Sequence, residues 1–366
     1  MTTATALNLH RMYLDSLNGR GGDSTVIDFA RFSGMDREDI DALLARHAEL
    51  CVSIDCRTCP PPPSLAEPNI KGWGDFIGQA VAVRELKVRV ASAVKRGAPA
   101  PPILLAGPGG TGKTTMARLV ADQMGKELIV FTKPPANTDD MIEALWRHPH
   151  GVAFFDEVHL FTKRQQHDLM SLTEEPHVLR GRWNDAYFPD LTIVAATTEP
   201  GALVGPLLSR FECKPVWGTY TTDEMEDIIL GMLSEMDAPI TKELVHTLAA
   251  ASADNPRQAR ALAVAARDLN LAEEDVTGPA VLALSRIQPD GLTALHLDYL
   301  NALASQSGGS AGKEALTTLL GLAPQQIKVA EQVLVSRGLV MLTGSGRRIT
   351  PAGRDRVVKG NLITWQ

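Results

Sequence analysis

Residues 107–114, Gly107-Pro108-Gly109-Gly110-Thr111-Gly112-Lys113-Thr114, fit the spacing G-x-x-x-x-G-K-[ST]. Glycine lets a backbone turn tightly enough for several N–H groups to converge on one anion, and a helix starting at the same point adds its positive end. Lys113 would then reach the β- and γ-phosphates, and the hydroxyl of Thr114, with Thr115 beside it, would ligate Mg²⁺. A glycine-rich turn with a chance lysine is the plain alternative. The apolar run Ile103-Leu104-Leu105-Ala106 before the glycines and the helical stretch after them argue against it. The pattern points to the binding of ATP phosphates.

Two carboxylates end a second apolar run, Val152-Ala153-Phe154-Phe155-Asp156-Glu157. There Asp156 would bind Mg²⁺ and Glu157 would polarise an attacking water. Alone, the run reads as a strand ending in solvated acids; about forty residues after a phosphate loop it reads as the second half of a hydrolytic site. A third run, Leu191 to Ala196, ends in Thr197-Thr198, and at that strand end Thr198 would sit between γ-phosphate and water, with two threonines in an ordinary turn as the plain alternative. In Pro206-Leu207-Leu208-Ser209-Arg210-Phe211, Arg210 would enter a neighbouring subunit's site, an effect worth roughly 10³–10⁵ in rate. On its own it is a surface arginine. Asn255-Pro256-Arg257 opens an alanine-rich helix, so Arg257 would project from its first turn toward the γ-phosphate.

Strands must carry these residues. The apolar runs at Ile103–Ala106, Leu128–Phe131, Val152–Phe155 and Leu191–Ala195 alternate with helical stretches, which predicts an α/β fold with a parallel sheet covered on both faces. After Trp217 strands stop, and Thr222 to about Ile287 reads as helices only. The last segment runs helix, helix (Pro324–Arg337), then two short strands, Leu339–Leu342 and Arg348–Thr350, around Thr343-Gly344-Ser345-Gly346: a winged helix-turn-helix. Residues 1 to about 50 read as two short amphipathic helices around Ser33-Gly34, and Pro60-Pro61-Pro62-Pro63 is a stiff spacer. The expected organisation is a mostly helical N-terminal module (1–59), a Pro-rich linker (60–72), an ATPase core (73–216), an all-α lid (217–287) and the winged helix (288–366).

Composition agrees with several domains in one chain. At 366 residues and 44% hydrophobic content it has apolar mass for two or three cores. No run approaches the roughly 18 apolar residues of a membrane span, and the start has no basic flank before an apolar stretch, so the chain reads as a soluble cytoplasmic protein without a membrane partner. Net charge is −7, yet from Asp290 onward eight Lys/Arg face five Asp/Glu, leaving a tail of +3 on a body of −10. Such a tail permits contact with nucleic acid.

Together these residues resemble the RuvB family of Holliday-junction branch-migration motors, AAA+ ATPases, from about Trp73 to Arg354. Phe76-Ile77-Gly78-Gln79, Leu86-Lys87-Val88 and Lys95-Arg96-Gly97 look like the segment before that family's P-loop, which implies that Ile77 contacts the nucleotide. Phe155-Asp156-Glu157-Val158-His159 resembles its Walker B segment, and Ala196-Thr197-Thr198 its sensor 1. Pro206 to Phe211 is similar to its arginine-finger segment, Asn255-Pro256-Arg257 to its sensor 2, and Gly291 to Pro351 to its winged helix. The resemblance implies a ring-forming, DNA-translocating ATPase.

The chain also departs from that pattern. Asn69-Ile70 stands where the family has the Arg-Pro pair that helps hold the base. The hairpin that docks on the partner RuvA in the family is shorter here, Glu174 to Asp190, with Arg180, Arg182, Trp183 and Tyr187. The RuvA contact is therefore not carried over; the stretch would meet DNA or another adaptor, or be a buried tip. The first seventy residues have no counterpart. His47, Cys51, Cys56 and Cys59 supply four ligands of suitable softness for structural Zn²⁺, against reduced, unliganded cysteines or an iron–sulfur site as alternatives.

In the winged helix, Lys328, Arg337, Arg347 and Arg348 are expected to meet DNA phosphates, whereas many winged helices bind protein instead. The resulting expectation is a homo-oligomeric ATPase that moves branched or duplex DNA. Its rivals are a clamp or helicase loader and a nucleotide-switched adaptor; Glu157 speaks against the last.

Overall fold

The computed structural model describes residues 70–360 except 175–177, 181–184, 189 and 345. The N-terminal module, most of the linker and the His47/Cys51/Cys56/Cys59 set therefore lie outside the described residues, as do Arg182 and Trp183.

The chain from Ile70 begins with helix α1 (Ala80–Arg96), stopped by Gly97 in the left-handed conformation that accepts the chain's exit from a helix. Strands and helices then alternate: β1 (Ile103–Ala106), α2 (Lys113–Met124), β2 (Leu128–Phe131), α3 (Thr138–Trp146), β3 (Val152–Phe155) and α4 (Lys163–Thr173). A hairpin, β4 (Val178–Arg180) and β5 (Asp185–Tyr187), precedes β6 (Thr192–Thr197) and the short α5 (Gly205–Arg210). The four long-range strands lie in the order β1-β6-β3-β2, all parallel. Cys213 and Val216 add parallel bridges on the free side of β1, so the segment after α5 runs along that edge.

Alternation explains the layers. On β3, Val152 and Phe154 join one apolar cluster, with Leu86, Met116 and Val120 of α1 and α2; Ala153 and Phe155 join the other, with Met141 and Leu169 of α3 and α4. β6 divides its side chains in the same way, Val194 and Ala196 against Ile193 and Ala195. Each strand is apolar on both faces because both faces are covered. The hairpin extends the second cluster through Leu179, Ala186 and Phe188, while Tyr187 stays exposed.

Helices follow: α6 (Thr222–Glu235), α7 (Lys242–Ala251), α8 (Pro256–Leu271) and α9 (Gly278–Ser285). Thr221, Thr241, Asn255 and Thr277 cap them through their side chains, a contribution of about 1 kcal/mol each. Their core runs from Tyr220 to Ile287. The last elements are α10 (Ala294–Ser305), β7 (Ser310–Ala311), α11 (Lys313–Leu320), α12 (Pro324–Ser336), β8 (Val340–Thr343), β9 (Gly346–Ile349) and α13 (Pro351–Lys359), around a core from Leu292 to Ile349. The wing has three strands, β7-β9-β8, where sequence reading finds two. At two residues, β7 is too short to leave a periodic signal. Similarly, β6 extends past the apolar run to Thr197, because Thr197 is fully buried with its hydroxyl bonded. Among the described residues no helix is long and apolar enough to cross a membrane.

Candidate active site

Strand register assembles the site. Ala106 stands opposite Thr197, and Phe155 opposite Ala195, so the glycine loop, Asp156-Glu157 and Thr198 all leave the sheet at one carboxyl edge. Ligands of open α/β sheets bind at that edge.

In the loop, Gly110 (φ 79°) and Gly112 (φ 92°) take left-handed conformations. A Cβ on Gly110 would also strike the Asn255 amide and the Cβ of Arg257, so glycine is required twice over. Gly112 is the N-cap of α2 and no side chain caps that helix, which leaves its first-turn N–H groups as anion donors. Lys113 is 6% exposed, and its Nζ donates to the carbonyl oxygens of Gly107 (2.9 Å) and Pro108 (2.6 Å). Burial lowers the pKa of its ammonium, opposed by Glu157 and Asp156. Thr111 donates to the Pro108 carbonyl at 2.8 Å; Thr114 and Thr115 follow, half-buried, on α2.

Asp156 is half-buried and accepts the Glu157 N–H at 3.0 Å. Burial first, and the adjacent Glu157 second, push its carboxyl above the usual carboxylate range. A partly buried acidic pair of this kind gains from a divalent cation, and the hard oxygens of Thr114 and Asp156 are of the type Mg²⁺ takes. Glu157 has left-handed backbone angles (φ 46°, ψ 49°), a conformation that costs a non-glycine residue about 1–3 kcal/mol and persists where neighbours hold it. Its Oε2 accepts from the Thr198 N–H (3.1 Å) and Thr198 hydroxyl (3.0 Å), and His159 Nδ1 lies at 3.2 Å.

The helical segment closes on the loop from the other side. Asn255 caps α8 by accepting the Arg257 N–H at 3.0 Å, while its amide donates to the Gly109 carbonyl at 3.1 Å. The Arg257 N–H also reaches the Gly110 carbonyl at 3.2 Å. The Arg257 side chain is exposed, and its charge is felt at both Asp156 and Lys113. Arg210, at the end of α5, is instead paired with Glu174. Ile77 is half-buried next to Gly78 and Gln79, whose amide exchanges two hydrogen bonds with Gly218 at 2.8 and 2.9 Å.

Two aromatic residues that carry no motif brace the loop. Trp217 Nε1 donates to the Thr111 hydroxyl (2.9 Å) and carbonyl (3.2 Å), and its side chain packs where a Cβ on Gly107 would go. The Tyr220 hydroxyl donates to the same carbonyl at 2.9 Å. The available signal was the aromatic pair Trp217-Gly218-Thr219-Tyr220 at the point where strands give way to helices.

Three of the four winged-helix cations have partners within the chain. Arg347 is bound by two hydrogen bonds to Glu331 (2.7 and 3.1 Å), whose Oε2 also accepts the buried Tyr299 hydroxyl at 3.2 Å. Arg337 is half-buried, donating to the Asp290 carbonyl. Lys328 Nζ sits 2.5 Å from Glu199 Oε1, just past Thr198. Arg348 is exposed. Each of the other three meets a partner from a distant part of the sequence.

Two family models match the chain: the Holliday junction DNA helicase RuvB P-loop domain over residues 69–215 and the RuvB C-terminal winged helix domain over 289–357. The RuvB subunit of the Holliday junction branch migration complex from Methanoregula boonei is 32% identical over 293 residues, spanning 76% of this chain and 88% of that one. The corresponding subunit from Prochlorococcus marinus is 30% identical over 302 residues, 78% of this chain and 85% of that one. The solved RuvB Holliday junction branch migration motor of Thermotoga maritima superimposes with a TM-score of 0.70 at 29% identity, covering 79% of this chain and 97% of its own. With the glycine loop, the paired acids and the winged helix all in matching order, this chain is an ATP hydrolase that belongs to the RuvB family.

Proposed function

We propose that this chain is the ATP-driven motor of Holliday-junction branch migration, acting as a homo-oligomeric ring on branched or duplex DNA. The observation that carries the reading is the shared carboxyl edge of β1, β3 and β6, where loop, acids and Thr198 converge under the Asn255-Arg257 helix start. The backbone of 107–112 with Lys113 binds the phosphates, and Ile77 lies at the nucleotide. Thr114 and Asp156 hold Mg²⁺, which neutralises charge on the phosphates when bound. Glu157 activates water, Thr198 orients it, and Arg257 senses the γ-phosphate. Arg210, away from the loop of its own chain, serves the next subunit, so hydrolysis requires assembly. The domain limits 73–216, 217–287 and 288–366 belong to this reading; cores running from Tyr220 to Ile287 and from Leu292 to Ile349 support them. Zinc at His47, Cys51, Cys56 and Cys59 rests on ligand type and spacing alone, and elemental analysis of the purified chain decides it.

Two measurements test the motor. ATP hydrolysis is followed without DNA and with single strands, duplex and four-way junction, alongside strand displacement. Junction-selective stimulation with displacement supports the reading, and stimulation without movement replaces it with a loader. Mixing inactive Arg210→Ala and Glu157→Gln proteins should restore hydrolysis, because each supplies what the other lacks. Full activity in Arg210→Ala alone would refute the shared site.

A further inference from the structure

Two helices of opposite charge turn complementary faces to solvent. α1 carries Arg84, Lys87, Arg89, Lys95 and Arg96 against the single acid Glu85, whereas α6 carries Asp223, Glu224, Glu226, Asp227 and Glu235 and no base. Part of this charge has a local cause. Lys95 and Arg96 in the last turn of α1, and Asp223 and Glu224 in the first turn of α6, complement the dipoles of their own helices. Arg89 pairs with Glu85, and Glu226 with His246. Arg84, Lys87 and Asp227 lie outside those turns, are exposed, and form no ion pair among the described residues.

Each charged face also has an apolar centre. Residues three or four apart share one side of a helix, so Arg84, Val88, Ala91 and Lys95 form an exposed stripe on α1. Asp223, Asp227, Leu230 and Ser234 form an exposed stripe of the same spacing on α6. Val88 is 63% exposed and Leu230 45%, and Val81 and Val94 add to the apolar surface of α1. A phosphate backbone gains nothing from these side chains, whereas an acidic protein face with an apolar centre covers both features of α1. α6 is such a face, and every copy of the chain carries it.

We propose that α1 of one chain packs against α6 of a second copy. The inference rests on the proposed ring and names two faces that build it. In one antiparallel register Lys95 stands against Asp223, Ala91 against Asp227, Val88 against Leu230 and Arg84 against Ser234. Asp227 then lies within a helical turn of both Lys87 and Lys95. The same register sets the C-terminal end of α1 beside the N-terminal end of α6, so the helix dipoles agree with the charges. Because the two stripes are different surfaces, each copy offers α1 to one neighbour and α6 to another; such a contact closes into a ring if the rotation permits. Both faces begin at the phosphate loop: α6 follows Tyr220, bonded to the Thr111 carbonyl, and α1 follows Gln79, bonded to Gly218. The charges supply specificity of pairing, the apolar centre excludes water, and added salt weakens the contact.

The test measures assembly of the full chain against concentration by sedimentation velocity, with a non-hydrolysable ATP analogue and duplex DNA present. Lys87→Glu with Lys95→Glu makes both stripes acidic, and Asp223→Lys with Asp227→Lys makes both basic. Each double variant alone should assemble about tenfold more weakly than the parent. Mixed in equal amounts they should assemble almost as tightly as the parent, because alternating chains set every α1 against an α6 of opposite sign. One chain carrying all four reversals should also assemble. Thermal melting checks folding, and rescue by mixing excludes misfolding as the cause of the loss. Assembly of either double variant as tight as the parent's overturns the helix pair, and so does a mixture no better than its components. If the Lys87→Glu, Lys95→Glu protein still assembles but binds duplex with a flatter salt slope, the α1 face belongs to DNA and the pairing is overturned. A parent chain that stays monomeric throughout removes the ring reading itself, and the helix pair with it.

Discussion

Lys113, buried, and Arg347, half-buried, are both cations with partners in their own chain, yet they differ in what a phosphate can do to them. Lys113 rests on two neutral carbonyl oxygens of its loop, and a phosphate offers a charged acceptor in their place. Arg347 already has a carboxylate, with Tyr299 bonded to the same group, and gains nothing by leaving it. Lys328 is intermediate, held by a carboxylate but in an exposed pair of small net value. The charge and burial of a cation's partner therefore decide whether it is available to ligand, and the residue type alone does not.

The largest effects should come from the acids at the loop. Glu157→Gln should lower kcat by about 10²–10⁴-fold while ATP still binds, as for removal of a general base; a residual rate within tenfold of the parent would remove Glu157 from the mechanism. Asp156→Asn should also abolish turnover, yet raise the melting temperature of the nucleotide-free protein. The sign follows from the direction of its pKa: a carboxyl raised by burial and by Glu157 costs stability while ionised, at pH above the usual carboxylate range, and that cost fades as pH falls through the raised value. Asparagine removes the cost at neutral pH. A lower melting temperature would mean that the carboxylate is stabilising and the burial argument is wrong.

Next in size is the wing. Arg347→Ala leaves Glu331 buried without its cation and should destabilise the winged helix by about 2–4 kcal/mol, whereas Arg348→Ala, exposed on the same strand, should stay within about 0.5 kcal/mol. Denaturant titration distinguishes them. Replacing Arg347 and Glu331 together by apolar residues should recover much of the loss, because the desolvation cost of the pair disappears with it. Equal stability of the two single variants would show that the pair contributes nothing to the fold.

Brace residues should matter less than acids. Trp217→Phe keeps a ring beside Gly107 but deletes two donations to Thr111, so ATP affinity should fall roughly three- to tenfold with kcat nearly intact, the scale of one or two neutral hydrogen bonds. Calorimetric titration with a non-hydrolysable analogue measures it.

The same contrast accounts for what could be read before the fold was known. The strand runs, the glycine loop and the acids were legible because each function lies within a few consecutive residues. Fold class followed from alternation, since apolar residues on both faces of β3 and β6 require cover on both sides. Trp217 and Tyr220 escaped notice because each acts through a residue far away in sequence, and a tryptophan gives no local sign that its N–H caps a loop 106 residues earlier. For the same reason the partners of Arg337 and Arg347 were not legible: Asp290 and Glu331 lie 47 and 16 residues away, and only the folded chain brings them together.

Arg348 carries the smallest effect and the cleanest test of the wing as a DNA surface. Reversing Arg347 and Arg348 together would confuse unfolding with lost binding, because Arg347 is structural. Arg348→Glu alone leaves the Glu331 pair intact. Each phosphate neutralised by a protein cation contributes about 0.9 to the slope of log K against log salt. Arg348→Glu should therefore flatten that slope for duplex by about one and weaken binding severalfold at low salt, with little change at high salt where counterions are already abundant. Lys328→Met should flatten it by a similar amount if Lys328 exchanges Glu199 for phosphate, and Lys328→Arg should not. An unaltered slope in Arg348→Glu would place the DNA elsewhere on the chain, and an unaltered slope in Lys328→Met would leave Lys328 as a strut between α12 and the turn after β6.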